Sequence, residues 1–128
     1  MPAKDTYHHD VVDALVRDGW TITDDPLSLR IGRKDLFVDL GAERFLGAER
    51  GQERIAVEVK SFTGASEVRD LELALGQFVL YATALQQLDP DRKLFLAVRR
   101  QVYREGFEEA IGRMLIDSGQ VRLLVVNM

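Results

Sequence analysis

The chain has 128 residues, of which 46% are hydrophobic and 30% charged, a composition that predicts one soluble globular domain over residues 1–128. It contains no cysteine, which excludes a disulfide framework and a thiolate zinc site. The net charge of −4 argues mildly against non-specific nucleic-acid binding, yet it leaves a DNA partner open because a cation-binding site adds acidic residues.

The N-terminal half is predicted to begin with a helix and to continue as strands. "DTYHHDVVDALVRDGW" is typical of an amphipathic helix, since Val11, Ala14 and Leu15 recur at helical spacing and Gly19 suits a C-cap. A strand is predicted at "WTIT", then a turn at "DDPLSLRIGRKD" that encloses another short strand, and then a strand at "LFVDLGAE".

The C-terminal half is predicted to alternate strands with helices. "ERIAVEVKSF" is a strand with the alternation of a half-buried surface, and its link through Gly47 and Gly51 predicts an antiparallel pair with the strand before it. A helix of about six turns follows from an N-cap at Ser66. The segments "RKLFLAV" and "VRLLVVN" are strands separated by one or two helices ending at Gly119, which indicates parallel crossovers. The expected fold is α/β, with a mixed central sheet flanked by helices.

Two predicted strands bring acidic residues and a lysine toward one place. Glu58 and Lys60 project from the same face of their strand, because side chains alternate. In "KDLFVDLGA" the alternation places Asp39 on the face opposite three apolar residues, Leu36, Val38 and Leu40. If both apolar faces pack on one core, Asp39, Glu58 and Lys60 meet on the other side.

Two carboxylates and an amine in one place suit metal-dependent phosphodiester hydrolysis. Carboxylates about 4 Å apart repel by roughly 4 kcal/mol at an effective dielectric near 20, so such a pair takes up a proton or a cation. Oxygen ligands with open positions suit Mg²⁺ or Mn²⁺, and the ammonium would orient a water or stabilise negative charge. The bare spacing also fits a solvated face with an ion pair, because Asp91 and Lys93 show the same spacing.

The long helix carries two polar residues on one face and an apolar surface nearly all round. Gln77 and Tyr81 are four residues apart, so both can reach over the sheet. Leu73 and Leu80 lie opposite the main apolar stripe. Either the last helix covers them, through Phe107, Ile111, Met114 and Leu115, or they form the interface of a homo-oligomer.

The motifs "VDLGA", "IAVEVK" and "QFVLY" together resemble the PD-(D/E)xK nuclease superfamily, in particular the RecB-type branch with a Gln-x-x-x-Tyr helix. The resemblance implies Mg²⁺ or Mn²⁺ held by Asp39, by Glu58 and by the backbone carbonyl of Val59, with Lys60 as the catalytic lysine. It implies supporting roles for Gln77 and Tyr81.

Nearly the whole chain is similar to XisH, the fdxN element excision controlling factor family of cyanobacteria, over "MPAKDTYHHDVVDALVRDGWTITDDPLSLRIGRKDLFVDLGAE", "IAVEVKSF", "DLELALGQFVLY" and "DRKLFLAV". This resemblance implies a restriction-endonuclease-like fold, a role in excision of a DNA element and a small companion protein, XisI. The family is named for a genetic requirement, so two functions stay open. One is a metal-dependent DNA endonuclease, and the other is a non-catalytic accessory protein that acts through its partner.

Two further groups of residues are candidates for a nuclease site. Many such nucleases complete the metal site with a glutamate on the first helix, where this chain has "YHHDVVDAL", so His8 or Asp10 is the candidate there. Arg30, Arg33 and Lys34 cluster before the acidic residues and would hold DNA phosphates, although a charge cluster in a loop is more often solvated.

The remaining expectations concern the cellular setting. The N-terminus lacks the apolar core of a signal peptide, and no apolar run approaches the length of a bilayer span. We therefore expect a cytoplasmic protein that does not enter a membrane.

Overall fold

The predicted α/β fold with a mixed central sheet flanked by helices is confirmed by a computed structural model, which describes residues 4–127. The helices are α1 (His8–Arg17), α2 (Glu67–Leu88), α3 (Arg100–Val102) and α4 (Ala110–Asp117), with a π-helical turn at Tyr103–Phe107. The strands are β1 (Thr21–Asp24), β2 (Leu27–Ile31), β3 (Lys34–Val38), β4 (Leu40–Gly47), β5 (Gly51–Val59), β6 (Lys93–Arg99) and β7 (Leu123–Val126).

Five of the strands form a sheet in the order β1-β4-β5-β6-β7, and this sheet is mixed, as the sequence predicts. The pairs β1/β4 and β4/β5 are antiparallel, whereas β5/β6 and β6/β7 are parallel and are connected through helices. Gly47 and Gly51 both have positive φ, at 135° and 68°, and so allow the tight connection between β4 and β5. Strands β2 and β3 form a separate antiparallel hairpin.

Helices cover both faces of the sheet. On one face, Val11 and Leu15 of α1 pack with Val57 and Val59 of β5. On the other face, α2 packs with Ala56 and with apolar residues of β6. Residues 55–59 of β5 are all buried, so the expectation of a half-buried strand is wrong: Glu58 lies on a covered face.

The predicted single strand "LFVDLGAE" is divided at Asp39. Strand β3 pairs with β2 in the hairpin, and β4 belongs to the main sheet, so the chain bends at Asp39 as it passes from one sheet to the other. Val38 packs in the core beneath α2, and Leu40 packs in the core beneath α1. The prediction that these two residues share one face is therefore wrong, because alternation does not continue through a bend.

Helix α2 begins as predicted, with the Ser66 hydroxyl accepting a hydrogen bond from the Arg69 N–H at 3.2 Å. Its inner face is buried against the sheet, but Leu73 and Leu80 on the outer face are about half exposed. Ile111 and Met114 are themselves exposed, so they do not cover that face. Among residues 4–127, no helix combines the length and apolarity needed to cross a membrane.

Candidate functional site

Asp39 and Glu58 meet where the pairing of β4 with β5 ends. The Asp39 N–H donates to Glu58 Oε1 at 3.1 Å, and the Val59 N–H donates to Asp39 Oδ2 at 2.7 Å. Each carboxylate thus accepts a hydrogen bond from the backbone of the other segment. This exchange replaces the strand pairing that stops at Leu40 and Val57, and it holds the two acids side by side.

The Val59 carbonyl is directed toward the same place. Within a strand, the N–H and C=O of one residue point toward the same neighbour. Because the Val59 N–H points to Asp39, its carbonyl points to that side too, where β4 no longer supplies a partner in the ladder. On the opposite side, the Lys60 N–H donates to the Ala97 carbonyl of β6 at 3.2 Å.

Lys60 lies at the open end of this cluster. Its Nζ is 3.7 Å from Glu58 Oε2, and the side chain of Lys60 is 28% exposed whereas that of Glu58 is 7% exposed. Glu58 is thus reached by Lys60 on one side and by the Asp39 backbone on the other. The three residues that the sequence predicts to meet are close together, on the covered face of the sheet.

Burial makes the negative charge of Glu58 unfavourable. Removal from water and the charge of Asp39 raise the pKa of Glu58 to about 8, while Lys60 and the Asp39 N–H act in the opposite direction. Near neutral pH the carboxyl group therefore favours a bound proton. A divalent cation would replace that proton, because it neutralises both carboxylates at once.

The donor set fits an oxygen-bound cation of the Mg²⁺ or Mn²⁺ type. It comprises two carboxylates and one backbone carbonyl, and Mg²⁺ binds through one or two carboxylates while keeping several waters. Among residues 4–127, no three side chains of His, Cys, Asp or Glu converge as a metal cluster. The remaining coordination positions would therefore belong to water or to a phosphate.

Tyr81 lies within the electrostatic field of the two acids. It is a half-buried residue of α2, and burial together with the charges of Glu58 and Asp39 raises the pKa of its hydroxyl. Gln77, one turn earlier, is also half-buried, and its Oε1 has no hydrogen-bond partner within the part of the chain that the structure describes. An unpaired buried amide oxygen is unfavourable by itself, so Gln77 is available to a ligand or a water.

His8 is buried and is paired outside the acidic cluster. It is 5% exposed, and its Nε2 lies 2.8 Å from Asp25 Oδ1, in the connection between β1 and β2. Its Nδ1 is buried and has no hydrogen-bond partner among residues 4–127. Asp10 is exposed in the first turn of α1. The first helix thus contributes His8, which pairs with Asp25, whereas Asp10 of the same helix faces solvent.

Asp5 and Arg99 hold the segment after Lys60, a role that the sequence does not predict for either residue. Asp5 Oδ2 accepts from the Ser61 N–H, and Arg99 Nη2 donates to the Ser61 carbonyl, both at 3.1 Å. The Arg99 guanidinium also lies 4.4 Å from the centre of the Tyr7 ring. These contacts join residues up to 56 positions apart, and no spacing pattern signals such contacts.

Arg30, Arg33 and Lys34 lie around the turn of the β2–β3 hairpin, and all three are exposed. Arg30 Nη1 is 3.4 Å from Asp35 Oδ1, across the hairpin. The four steps from Lys34 to Val38 span roughly 13 Å at 3.3 Å per residue. The basic cluster is therefore displaced from Asp39 along the hairpin and is not part of the acidic site.

Fold and site together define a mixed α/β protein in which a covered face of the sheet holds two adjacent carboxylates, of which Glu58 is buried, and a lysine. The family described as XisH protein matches residues 1–128. The chain belongs to the XisH family.

Two solved structures support this relationship. The XisH family protein from Nostoc punctiforme PCC 73102 is 39% identical, with a TM-score of 0.84 over 96% of this chain and 91% of that chain. The fdxN element excision controlling factor protein from Anabaena variabilis is 41% identical, with a TM-score of 0.85 over 97% of this chain and 92% of that chain. The comparison with curated proteins found no match.

Proposed function

We propose that the chain is a metal-dependent nuclease that hydrolyses DNA phosphodiesters during the excision of a DNA element. The observation that carries this proposal is the buried Glu58 carboxyl, held against Asp39 and within 3.7 Å of Lys60. Acidic side chains are rarely buried, and carboxylates whose pKa is shifted by burial and by a neighbouring charge cluster at functional sites. The resemblance to PD-(D/E)xK nucleases gives the substrate class, and the description of the Anabaena variabilis relative as an fdxN element excision controlling factor gives the process.

In this proposal Asp39, Glu58 and the Val59 carbonyl hold Mg²⁺ or Mn²⁺. The cation supplies Lewis acidity that activates a phosphodiester and a water. Lys60, which is more exposed than Glu58, orients the attacking water and stabilises negative charge on the phosphate. DNA would approach from the side of Lys60, because the other sides are closed by the sheet and by α2.

Supporting residues complete the proposed site. Tyr81 feels the charges of both acids from α2, and with Gln77 one turn earlier it would exclude bulk water, which strengthens the electrostatic interactions inside the site. The basic cluster of the hairpin binds DNA phosphates at some distance from the scissile phosphate; it consists of Arg30, Arg33 and Lys34. His8 supports the start of α1 through Asp25.

The test is incubation of the full chain with branched, nicked and linear DNA in the presence of Mg²⁺ or Mn²⁺. We expect cleavage of at least one substrate, and its loss in Glu58→Gln and in Asp39→Asn. Glu49→Gln is the matched control, because Glu49 is an exposed acid outside the site. Cleavage that persists in Glu58→Gln would refute the assigned site.

A second function, a non-catalytic accessory protein acting through an XisI-like small protein, is favoured by one observation. The position on α1 where related nucleases supply an acid is occupied by His8, which is engaged with Asp25. Such a scaffold needs no cation at Glu58. Titration of wild type and Glu58→Gln with Mn²⁺ separates the two, since equal affinity of both proteins supports the scaffold.

A further inference from the structure

A groove of about 320 Å³ lies between the start of α2 and the segment formed by the π-helical turn and α4. Its floor is apolar and includes Phe62 and Phe107, whose rings meet edge to face with centres 5.8 Å apart. Val68 and Ile111 stand on its rim and are 53% and 50% exposed. Apolar side chains on both sides of an apolar floor form one continuous patch, and such patches mark interaction sites.

Three acidic residues surround the same groove. Glu67 lies on α2, and Glu105 and Glu109 lie on the opposite wall. Within residues 4–127, none of the three has a Lys, Arg or His within ion-pair distance. The rim of the groove thus carries negative charge that the described chain does not neutralise.

We propose that the groove binds an amphipathic segment of a partner protein that carries Lys or Arg beside its apolar residues. The apolar side chains would fill the space over Phe62 and Phe107, as an amphipathic helix fills a hydrophobic groove. The basic side chains would face the three glutamates, which gives orientation and selectivity. A second copy of this chain fits less well, because it brings a net charge of −4 to an acidic rim.

The groove adjoins the candidate active site through Phe62. Phe62 has φ of 54°, a conformation that is unfavourable for a bulky side chain, and it follows Lys60 by two residues. The contact with Phe107 holds Phe62 in place. A segment that presses on Phe62 therefore acts on the position of Lys60. This link rests on the proposed function, whereas binding in the groove does not.

The test of binding is a displayed library of 12-residue peptides, selected on the full chain and counter-selected on the double variant Val68→Asp/Ile111→Asp. Both substitutions lie at half-exposed positions, and circular dichroism verifies that the double variant is folded. Ile111→Asp alone is the second variant, for use if the double variant does not fold. We expect selected peptides with apolar residues at helical spacing beside Lys or Arg, bound about tenfold or more weaker by the double variant. Glu105→Lys/Glu109→Lys should instead prefer peptides with acidic flanks.

Three outcomes would overturn the proposed occupant. The first is a library without peptides that depend on Val68 and Ile111, and the second is a preference of wild type for acidic flanks. The third is a concentration-dependent dimer in sedimentation that Ile111→Asp converts to monomer, which makes a second copy the occupant.

The link to Lys60 is tested by adding a selected peptide to the DNA cleavage reaction. We expect at least a threefold change in the cleavage rate, absent from the groove variant. An unchanged rate would overturn the link and leave binding intact. Failure of wild type to cleave any DNA would overturn the proposed nuclease function instead. The peptide affinities would still show whether the groove binds a basic amphipathic segment.

Discussion

Asp39 and Glu58 are joined by a reciprocal exchange in which each carboxylate accepts a hydrogen bond from the backbone of the other segment. The distances are 3.1 Å from the Asp39 N–H to Glu58 Oε1 and 2.7 Å from the Val59 N–H to Asp39 Oδ2. Each acid thereby uses one oxygen for the fold and retains the other for a cation, a proton or Lys60. The position of the acids is consequently set by the backbone, which makes conservative amide substitutions informative.

The free energy of unfolding in the absence of metal should decrease as the pH rises toward 8. The pKa of Glu58 is raised from 4.5 to about 8, chiefly by burial and then by Asp39. Between these values the folded protein retains a proton that the unfolded chain releases, so this contribution to stability is full below pH 4.5 and is lost as the pH rises through 8. For one titrating group, the free energy of unfolding changes by at most about 1.4 kcal/mol per pH unit.

Glu58→Gln should flatten that dependence, because glutamine keeps the acceptor for the Asp39 N–H and does not ionise. Urea unfolding of wild type, Glu58→Gln and the exposed control Glu49→Gln between pH 5 and pH 9 provides the measurement. Identical slopes in wild type and Glu58→Gln would show that Glu58 is not the titrating group.

The affinity for Mn²⁺ should increase with pH up to about 8 and then level off. A proton and a cation compete for Glu58, whose pKa lies at about 8, so one released proton gives about tenfold in affinity per pH unit below that value. Isothermal titration calorimetry in buffers of different ionisation enthalpy measures both the affinity and the proton release. Glu58→Gln should bind more weakly and without this dependence on pH.

Lys60→Ala should reduce cleavage of the preferred DNA by about a hundredfold or more, since removing one group that stabilises developing charge has effects of that size. Lys93→Ala is the matched control, because Lys93 also follows an acid by two residues but is exposed at the start of β6. Mn²⁺ affinity should not fall in either variant. Equal cleavage by the two variants would remove Lys60 from the reaction.

Two glycines in helices should respond to alanine with opposite signs. A Cβ at Gly112 of α4 would clash with the Gly106 carbonyl oxygen and with the Phe107 Cα, so Gly112→Ala should destabilise the fold by about 1–3 kcal/mol. A Cβ at Gly76 of α2 meets nothing within 4 Å, so Gly76→Ala should stabilise by about 0.5–1 kcal/mol. Thermal and urea unfolding of the two variants measures both signs.

The sequence predicts most of the order of elements because the local signals for it are strong, but it does not predict the division of one strand at Asp39. Ser66 begins α2, and Gly47 and Gly51 delimit the β4–β5 connection, as their chemistry requires. The sequence does not predict that helices cover both faces of β5. The alternation of Ile55, Val57 and Val59 is equally consistent with a strand that has one face open to solvent. Burial of Glu58 depends on α2 folding back over the sheet, which is tertiary information.

The sequence predicts that Asp39, Glu58 and Lys60 lie close together, but it does not predict the geometry that joins them. Alternation suggests that Asp39 faces Glu58, whereas the structure joins them through a bend in which alternation fails. The error concerning Val38 and Leu40 has the same origin, since the two flank that bend. Asp5 and Arg99 escaped notice because hydrogen bonds to the Ser61 backbone leave no pattern in the sequence.

The tip of the β2–β3 hairpin offers a separate test of DNA binding. Arg33 and Lys34 are exposed and have no carboxylate within ion-pair distance among residues 4–127, whereas Arg30 pairs with Asp35. If both contact phosphates, Arg33→Ala/Lys34→Ala should weaken binding similarly for all sequences. It should also reduce the slope of log K against log salt by about 1.8, at about 0.9 per phosphate contact.

Fluorescence anisotropy with labelled duplexes at several salt concentrations provides this measurement, with Glu58→Gln as the background so that no cleavage occurs. Arg104→Ala/Arg113→Ala is the matched control, because it removes two exposed positive charges elsewhere on the surface. Weaker binding and a smaller slope in the hairpin variant alone would show that DNA phosphates contact the tip of the hairpin. An equal change of slope in both variants would instead mean that the DNA responds only to overall charge.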